Sequence, residues 1–135
     1  SVLPEIGCSL GEVLLTPHRA YLKEVEMLWA TGVSIKAMAH ITGGGFPGNL
    51  PRVLPPDVAV RIDRTAWNPQ PIFRLLQERG QVDEIEMYRV FNMGIGLVLL
   101  VRADEVDGAL SALGGEVAVI GEATSWDGHT PRVLL

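Results

Sequence analysis

Cysteine occurs once in 135 residues, at Cys8. A single thiol excludes any intrachain disulfide and any cysteine-built structural zinc site, and it suits a reducing compartment. Long apolar runs are missing too. No stretch approaches the roughly 20 residues that a bilayer-spanning helix needs, although hydrophobic residues make up 47% of the chain. Basic residues number 11 against 16 acidic ones, for a formal charge of −5, and they are scattered instead of forming a stripe. Such a surface does not release the phosphate counterions that drive general nucleic-acid binding. Ser1 to Leu10 has neither a basic n-region nor a clean apolar h-region, which argues against a secretory signal, and a start at Ser1 without Met reads as a piece cut from a longer protein. Repeats and low-complexity tracts are also lacking. The expectation is one cytoplasmic domain with no membrane or nucleic-acid partner, long enough to bury roughly 68–70% of its unfolded surface.

Several chemistries lack their residues. His18, His40 and His129 have no HxxxH spacing, and the clusters Asp83-Glu84-Glu86 and Asp104-Glu105-Asp107 read as solvated faces and helix starts, so no metal ligand is assigned. Ser9, Ser34, Ser111 and Ser125 have no nucleophile-elbow context. Tyr88-Arg89-Val90-Phe91-Asn92 either offers a cation and an amide to a cleft, or pairs Arg89 with Glu86 and packs Tyr88.

What is present centres on Ile35 to Leu54, IKAMAHITGGGFPGNLPRVL. Ile35, Ala37, Ala39 and Ile41 alternate with Lys36, Met38, His40 and Thr42, the period of a half-buried strand with His40 and Thr42 on its polar face. Gly43, Gly44 and Gly45 follow, free to take positive φ and to turn amide N–H groups towards an anion. Pro47 suggests the first turn of a short helix, ended by Pro55-Pro56. The glycines serve either a ligand or only a turn, and His40 is either an acid–base group or a structural hydrogen-bonder. No Lys-Ser or Lys-Thr follows the glycines, so the stretch is not a P-loop.

Around it, Ser1 to Leu10 reads as an irregular lead-in or former linker, and Gly11 to Pro17 as a short apolar run. Tyr21, Val25 and Leu28 mark a helix from about His18 to Ala30, closed near Gly32. Val58, Val60 and Ile62 mark a strand. Asn68 to Pro71 opens a helix with Ile72, Phe73, Leu75 and Leu76 as its buried stripe and Gly80 as its cap. Val82 to Phe91 fits neither period cleanly and reads as a short helix or a loop, with the helix placed over Glu84 to Val90. The apolar run to Val101 reads as a central strand buried on both faces, entered through Gly94 and Gly96, which lack the third glycine of a dinucleotide fingerprint. Asp104 is expected to cap a helix through Val106, Ala109, Leu110 and Leu113, stopped by Gly114-Gly115. Val117 to Ile120 reads as a strand, Gly121 to Thr130 as turns, and Pro131 to Leu135 as a short edge strand. Such an order describes a layered α/β or α+β domain with a mixed sheet.

The motifs AHITGGG (Ala39 to Gly45), NLPRVLP (Asn49 to Pro55), Trp67 with Pro71-Ile72-Phe73, and EMYRVFNMGIG (Glu86 to Gly96), preceded by LGEVLLTP (Leu10 to Pro17) with Arg19 and Tyr21, resemble the C-terminal half of the aminoimidazole ribonucleotide synthetase (phosphoribosylformylglycinamidine cyclo-ligase) family. The resemblance covers roughly Leu10 to Glu122. It departs at His18 and Ala20, where the family commonly has Thr and Ile, and at Gly48, where an acidic residue is frequent. It implies an α+β fold, layered α/β/α with a mixed sheet and partly ferredoxin-like, spanning residues 1–135 as the C-terminal domain of a longer enzyme. It implies ATP- and Mg²⁺-dependent ring closure of formylglycinamidine ribonucleotide in purine biosynthesis. Most nucleotide and metal contacts and the homodimer interface then lie in an N-terminal half, and the piece alone is inactive. Carried over by position, His40 is the implied catalytic residue, Thr42, Gly43, Gly44, Gly45 and Asn49 the substrate-binding set, and Asn92, Gly94 and Gly96 the cleft lining. The alternatives are the same domain of a related ATP-using enzyme, of the formylglycinamidine ribonucleotide synthetase, selenophosphate synthetase or thiamine-phosphate kinase type, and a non-enzymatic binding module.

Overall fold

The structure, a computed structural model, describes residues 1–115 and 117–135. The lead-in is more ordered than the sequence suggests. β1 (Val2–Leu3) pairs antiparallel with β2 (Cys8–Ser9), and Ser9 then caps α1 (Leu10–Leu14). The Ser9 hydroxyl accepts from the Glu12 N–H while the Glu12 carboxylate accepts from the Ser9 N–H at 2.8 Å, so two otherwise orphaned donors of a five-residue helix are satisfied.

α2 (Leu22–Ala30) buries Val25 and Leu28 as the periodicity predicts, but it starts four residues later than expected. Residues 18–21 are not helical. A long-range contact holds them: His18 and Tyr21 lie over Gly96, where a Cβ would come 2.2 Å from the Tyr21 hydroxyl and 2.9 Å from the His18 ring.

β3 (Ala37–His40) pairs antiparallel with β5 (Leu97–Leu100), His40 opposite Leu97, and the bonds Lys36 N–H to Leu100 C=O and Ile41 N–H to Gly96 C=O extend the ladder at both ends. Ala39 and Ile41 are buried while Lys36, Met38 and His40 are exposed, the expected alternation. Ala39 and Val98 face the main core. Leu99 packs on a second cluster of Leu28, Val33 and Ala109, which brings in α2 and α6 (Val106–Leu113). β5 is thus covered on both faces, but it is not central: it pairs with β3 alone, and Leu97, Leu99 and Leu100 stay half-buried.

A second, mixed sheet has β4 (Val58–Ile62) between β6 (Gly121–Ser125), antiparallel to it, and β7 (Val133–Leu134), parallel to it. β7 is the expected edge strand. β6 replaces the strand expected at 117–120 and occupies part of the segment read as turns. Its residues are exposed apart from the half-buried Thr124, so no alternation marks it. What fixes its register is Gly121 opposite Ile62, where a Cβ would sit 2.1 Å from the Arg61 carbonyl oxygen. The Arg132 guanidinium ties the other edge by donating to the carbonyls of Leu54, Pro55 and Val58.

The remaining helices contribute to the core that these sheets share. α3 (Gly45–Asn49) continues into a 3₁₀ turn at Leu50–Arg52; α4 (Pro71–Gly80) starts with Pro71; α5 (Glu84–Val90) is capped by the Asp83 carboxylate, which accepts from the Ile85 N–H at 2.9 Å. Gly80 is the last helical residue of α4 and not its cap. Gln81 takes the left-handed φ of 50° instead, with its N–H bonded to α4 carbonyls. Asp104 does not cap α6 either. Its carboxylate is held by the Arg102 guanidinium at 2.6 Å, and a 3₁₀ turn, Ala103–Glu105, leads into the helix, which Gly114 stops as expected. Arg89 lies 3.8 Å from Glu86 and Tyr88 is buried, the packing alternative for that segment. The main core joins Ile41, Phe46, Leu50, Met87 and Met93 with β4 and β7 residues. Phe46, Trp67 and Tyr88 form an aromatic trio within it, with ring centroids 5.8 to 6.4 Å apart. The fold is α+β.

Burial lifts the Tyr88 phenol above its ordinary range, partly opposed by the Arg64 guanidinium over its ring. The folded state therefore keeps its proton at a pH where the unfolded chain, with a pKa of about 10, has lost it. Stability from this source is complete below the unfolded pKa and falls as pH rises through it towards the folded value. Urea midpoints measured at about pH 9 and about pH 11 should fall more for the wild type than for Tyr88→Phe. Equal losses would remove Tyr88 as the source.

Candidate functional site

Thr42 to Gly45 connect β3 to α3, and the three glycines differ in what they do. Gly45, at φ +58°, packs its backbone on the end of α5: a Cβ there would lie 2.0 Å from the Tyr88 carbonyl oxygen and 3.0 Å from that of Phe91. Gly44, at φ +97°, is fixed by conformation, with its would-be Cβ 3.4 Å from Gly48. Gly43 has open space around it and no positive φ. The Gly45 N–H donates to the Thr42 carbonyl at 3.1 Å, whereas those of Gly43 and Gly44 donate to no described residue. Thr42, Gly43 and Gly44 are all exposed.

Asn49, only 5% exposed, holds this loop from beneath. Its amide nitrogen donates to the Gly45 carbonyl at 2.8 Å and lies 3.3 and 3.4 Å from those of Thr42 and Gly43, and its oxygen accepts from the Thr42 hydroxyl at 3.2 Å. The sequence placed Asn49 on the substrate side; its polar atoms are turned to the loop's own carbonyls. A buried amide needs such partners, and an irregular turn leaves carbonyls in want of donors.

At the end of β3 the exposed His40 has its Nε2 3.0 Å from Nε2 of His18, with ring centroids 4.7 Å apart and planes at 65°. Nδ1 of His18 lies 3.0 Å from the Arg19 carbonyl oxygen. Opposite stands the turn Asn92 to Gly96. The Asn92 side-chain oxygen accepts from the Gly94 N–H at 2.9 Å, Met93 takes a φ of 51°, and the Trp67 indole N–H donates to the Met93 carbonyl at 2.9 Å. Two cavities flank this arrangement. One of about 350 Å³ is lined by His18, Ile41, Thr42, Gly43, Phe91 and Asn92. The other, of about 490 Å³, is lined by His18, Tyr21, Gln70, Asn92, Gly94 and Gly96, among others.

Of the residues expected from the sequence, Thr42, Gly43, Asn92, Gly94 and Gly96 line these cavities, His40 adjoins them through His18, Gly44 is exposed in the glycine loop, and Gly45 and Asn49 form the buried support behind it. The sequence reading missed His18, Tyr21 and Gln70 as lining residues. His18 and His40 are 22 positions apart, and no short-range spacing signals a contact that Gly96 creates. The site offers imidazoles, a hydroxyl, a side-chain amide and backbone N–H groups. The Arg19 guanidinium is bonded to Glu24 at 2.6 Å, which holds the Glu24 carboxyl below its usual range. Among the described residues no three His, Cys, Asp or Glu side chains come together to hold a metal ion, and no helix is long and apolar enough to cross a membrane.

An α+β domain with a braced glycine loop at a strand end also has relatives in sequence. Residues 3–133 match the family described as AIR synthase related protein, C-terminal domain, and the chain belongs to that family. It is 50% identical over 129 residues to a phosphoribosylformylglycinamidine cyclo-ligase from Caldanaerobacter subterraneus, and 46% identical over 129 residues to one from Thermoanaerobacter sp.; each alignment takes in 93% of this chain and 38% of the relative. A cyclo-ligase of the same name from Synechococcus sp. is 45% identical over 125 residues, again 93% of this chain, and 35% of its own length is covered. The chain thus spans little more than a third of these relatives.

The glycine assignments make a stability series. Gly45→Ala combines a positive φ with a backbone clash and should cost about 2–5 kcal/mol. Gly43→Ala should stay within about 0.5–1 kcal/mol of the wild type. Asn49→Ala, which strips the loop carbonyls of their donor, should cost about 1–3 kcal/mol. Urea unfolding measures all three, and a Gly45→Ala variant as stable as Gly43→Ala would contradict the packing described.

Proposed function

We propose that this chain is the C-terminal, substrate-side domain of an ATP-dependent cyclo-ligase that converts formylglycinamidine ribonucleotide to aminoimidazole ribonucleotide in purine biosynthesis. The observation that carries the reading is identity of 45–50% to proteins named phosphoribosylformylglycinamidine cyclo-ligase across 93% of the chain, including the loop that shapes one side of the smaller cavity.

In this reading the Thr42 hydroxyl and the Gly43 and Gly44 N–H groups bind the substrate phosphate or the charge that develops as the ring closes, because oriented backbone donors in a cleft stabilise an anion without reorganising. Gly45 and Asn49 hold those donors in place. His40 moves the proton that the closing nitrogen loses. Asn92, Gly94 and Gly96 line the opposite wall, where the absent side chains make room for Gln70 at Gly94 and for His18 and Tyr21 at Gly96.

The relatives' greater length supports the presence of an N-terminal half, which in this reading also supplies the homodimer contacts. Leu14, Leu15 and Leu22 around the α1–α2 connection are 64%, 82% and 64% exposed, an apolar surface suited to packing against it. ATP supplies the activating phosphoryl group with Mg²⁺ as its counterion. In this reading ATP and Mg²⁺ are held mainly by the N-terminal half; among the described residues no three His, Cys, Asp or Glu side chains come together to hold a metal ion, and no step is assigned to ATP or Mg²⁺ here.

The test uses the full-length enzyme. His40→Ala should lower the single-turnover rate about 10²–10⁴-fold with the melting temperature unchanged, and Gly44→Val, at a φ that a β-branched residue does not tolerate, should abolish substrate binding. The 135-residue chain alone should turn over no substrate. A His40→Ala enzyme that is destabilised yet cyclises normally would make His40 structural.

A further inference from the structure

We propose that His18 is a positioning residue that holds His40 in one tautomer, with the proton on Nε2 and the lone pair of Nδ1 left open as the proton acceptor of the site. The Arg19 carbonyl can only accept, so the 3.0 Å contact from His18 Nδ1 places a proton on that nitrogen. A neutral His18 then carries its lone pair on Nε2. The 3.0 Å contact between the two Nε2 atoms is a hydrogen bond only if His40 is the donor. Neutral His40 therefore has its hydrogen on Nε2 and none on Nδ1, and among the described residues Nδ1 has no hydrogen-bonding partner.

The fold builds this contact. Non-helical backbone at 18–21 turns the His18 ring over β5, the missing Cβ of Gly96 leaves it room, and the Tyr21 ring stands edge-on to it with centroids 6.1 Å apart. Two cationic rings would bring two N–H groups face to face, so the hydrogen bond between the rings needs the lone pair on His18 Nε2. When His40 Nδ1 takes a proton from a substrate N–H, the N–H bond breaks, its electron pair stays on the substrate nitrogen, and His40 becomes an imidazolium. Its Nε2–H still donates to His18, whose Nδ1–H still donates to the Arg19 carbonyl. No hydrogen bond has to break or turn, so the acceptor nitrogen is preorganised for the transfer. The catalytic consequence rests on the reading of His40 above; the tautomers themselves do not.

Nitrogen-15 NMR of the 135-residue chain at about pH 8, above the ordinary imidazole range, tests the arrangement. The expected spectrum shows His18 protonated on Nδ1, the minor form of a free imidazole, His40 protonated on Nε2, and a scalar coupling across the Nε2–H···Nε2 bond. His18→Gln, whose amide oxygen also accepts, should keep His40 in a single tautomer, whereas His18→Leu should let its two ring nitrogens average. Wild-type His18 protonated on Nε2, or a His40 spectrum unchanged in His18→Leu, overturns the proposal. Normal cyclisation by full-length His40→Ala would instead overturn only the catalytic reading, since the spectra stand without it.

Discussion

The backbone of Gly45 lying against the last turn of α5 is the contact on which the rest of the site depends. With 2.0 Å between a hypothetical Cβ and the Tyr88 carbonyl oxygen, nothing larger than glycine lets α3 approach α5 this closely. That approach puts Phe46, the next residue, fully inside the core against Trp67 and Tyr88. A buried phenylalanine of this kind is worth about 3–5 kcal/mol when truncated to alanine, enough to hold one short helix that has no side-chain cap of its own. The glycine loop is therefore anchored from its far end by packing and from beneath by Asn49.

The same aromatic group joins the two walls of the cleft. Trp67 packs on Phe46 and also donates its indole N–H to the Met93 carbonyl, in the turn that carries Asn92 and Gly94. The loop after β3 and the turn before β5 are thus set relative to each other through one half-buried ring as well as through the β3–β5 ladder. Stability and site geometry share these residues, so substitutions at Trp67 or Phe46 should not be read as probes of chemistry alone.

Much of this was legible in the sequence where a local signal and a packing demand coincide. The alternation of β3 and β4, the helix over Pro71–Gly80, the stop at Gly114, and the position of the glycine loop all follow from period and turn chemistry, whereas Glu84–Val90 fits neither period cleanly and its helix is settled by packing. The failures have a common cause, which is long-range contact. β6 is a polar strand recognised only by the tight seat of Gly121 against Arg61. Residues 18–21 surrender their helical period to Gly96, and the contacts of the Asn49 amide with three loop carbonyls have no local signal in the sequence. For the site, the sequence found the loop and the opposite wall but not His18, because the partner that gives it meaning stands on another element.

The central claim is that the loop is built and rigid before any ligand arrives, with the Gly43 and Gly44 N–H groups unspent. Backbone nitrogen-15 relaxation of the free chain tests it most directly. Order parameters of about 0.85 at Gly43, Gly44 and Gly45, matching the flanking strand and helix, are predicted. Values below about 0.6 at Gly43 and Gly44 would show a flexible loop that a ligand must order, and would contradict the account.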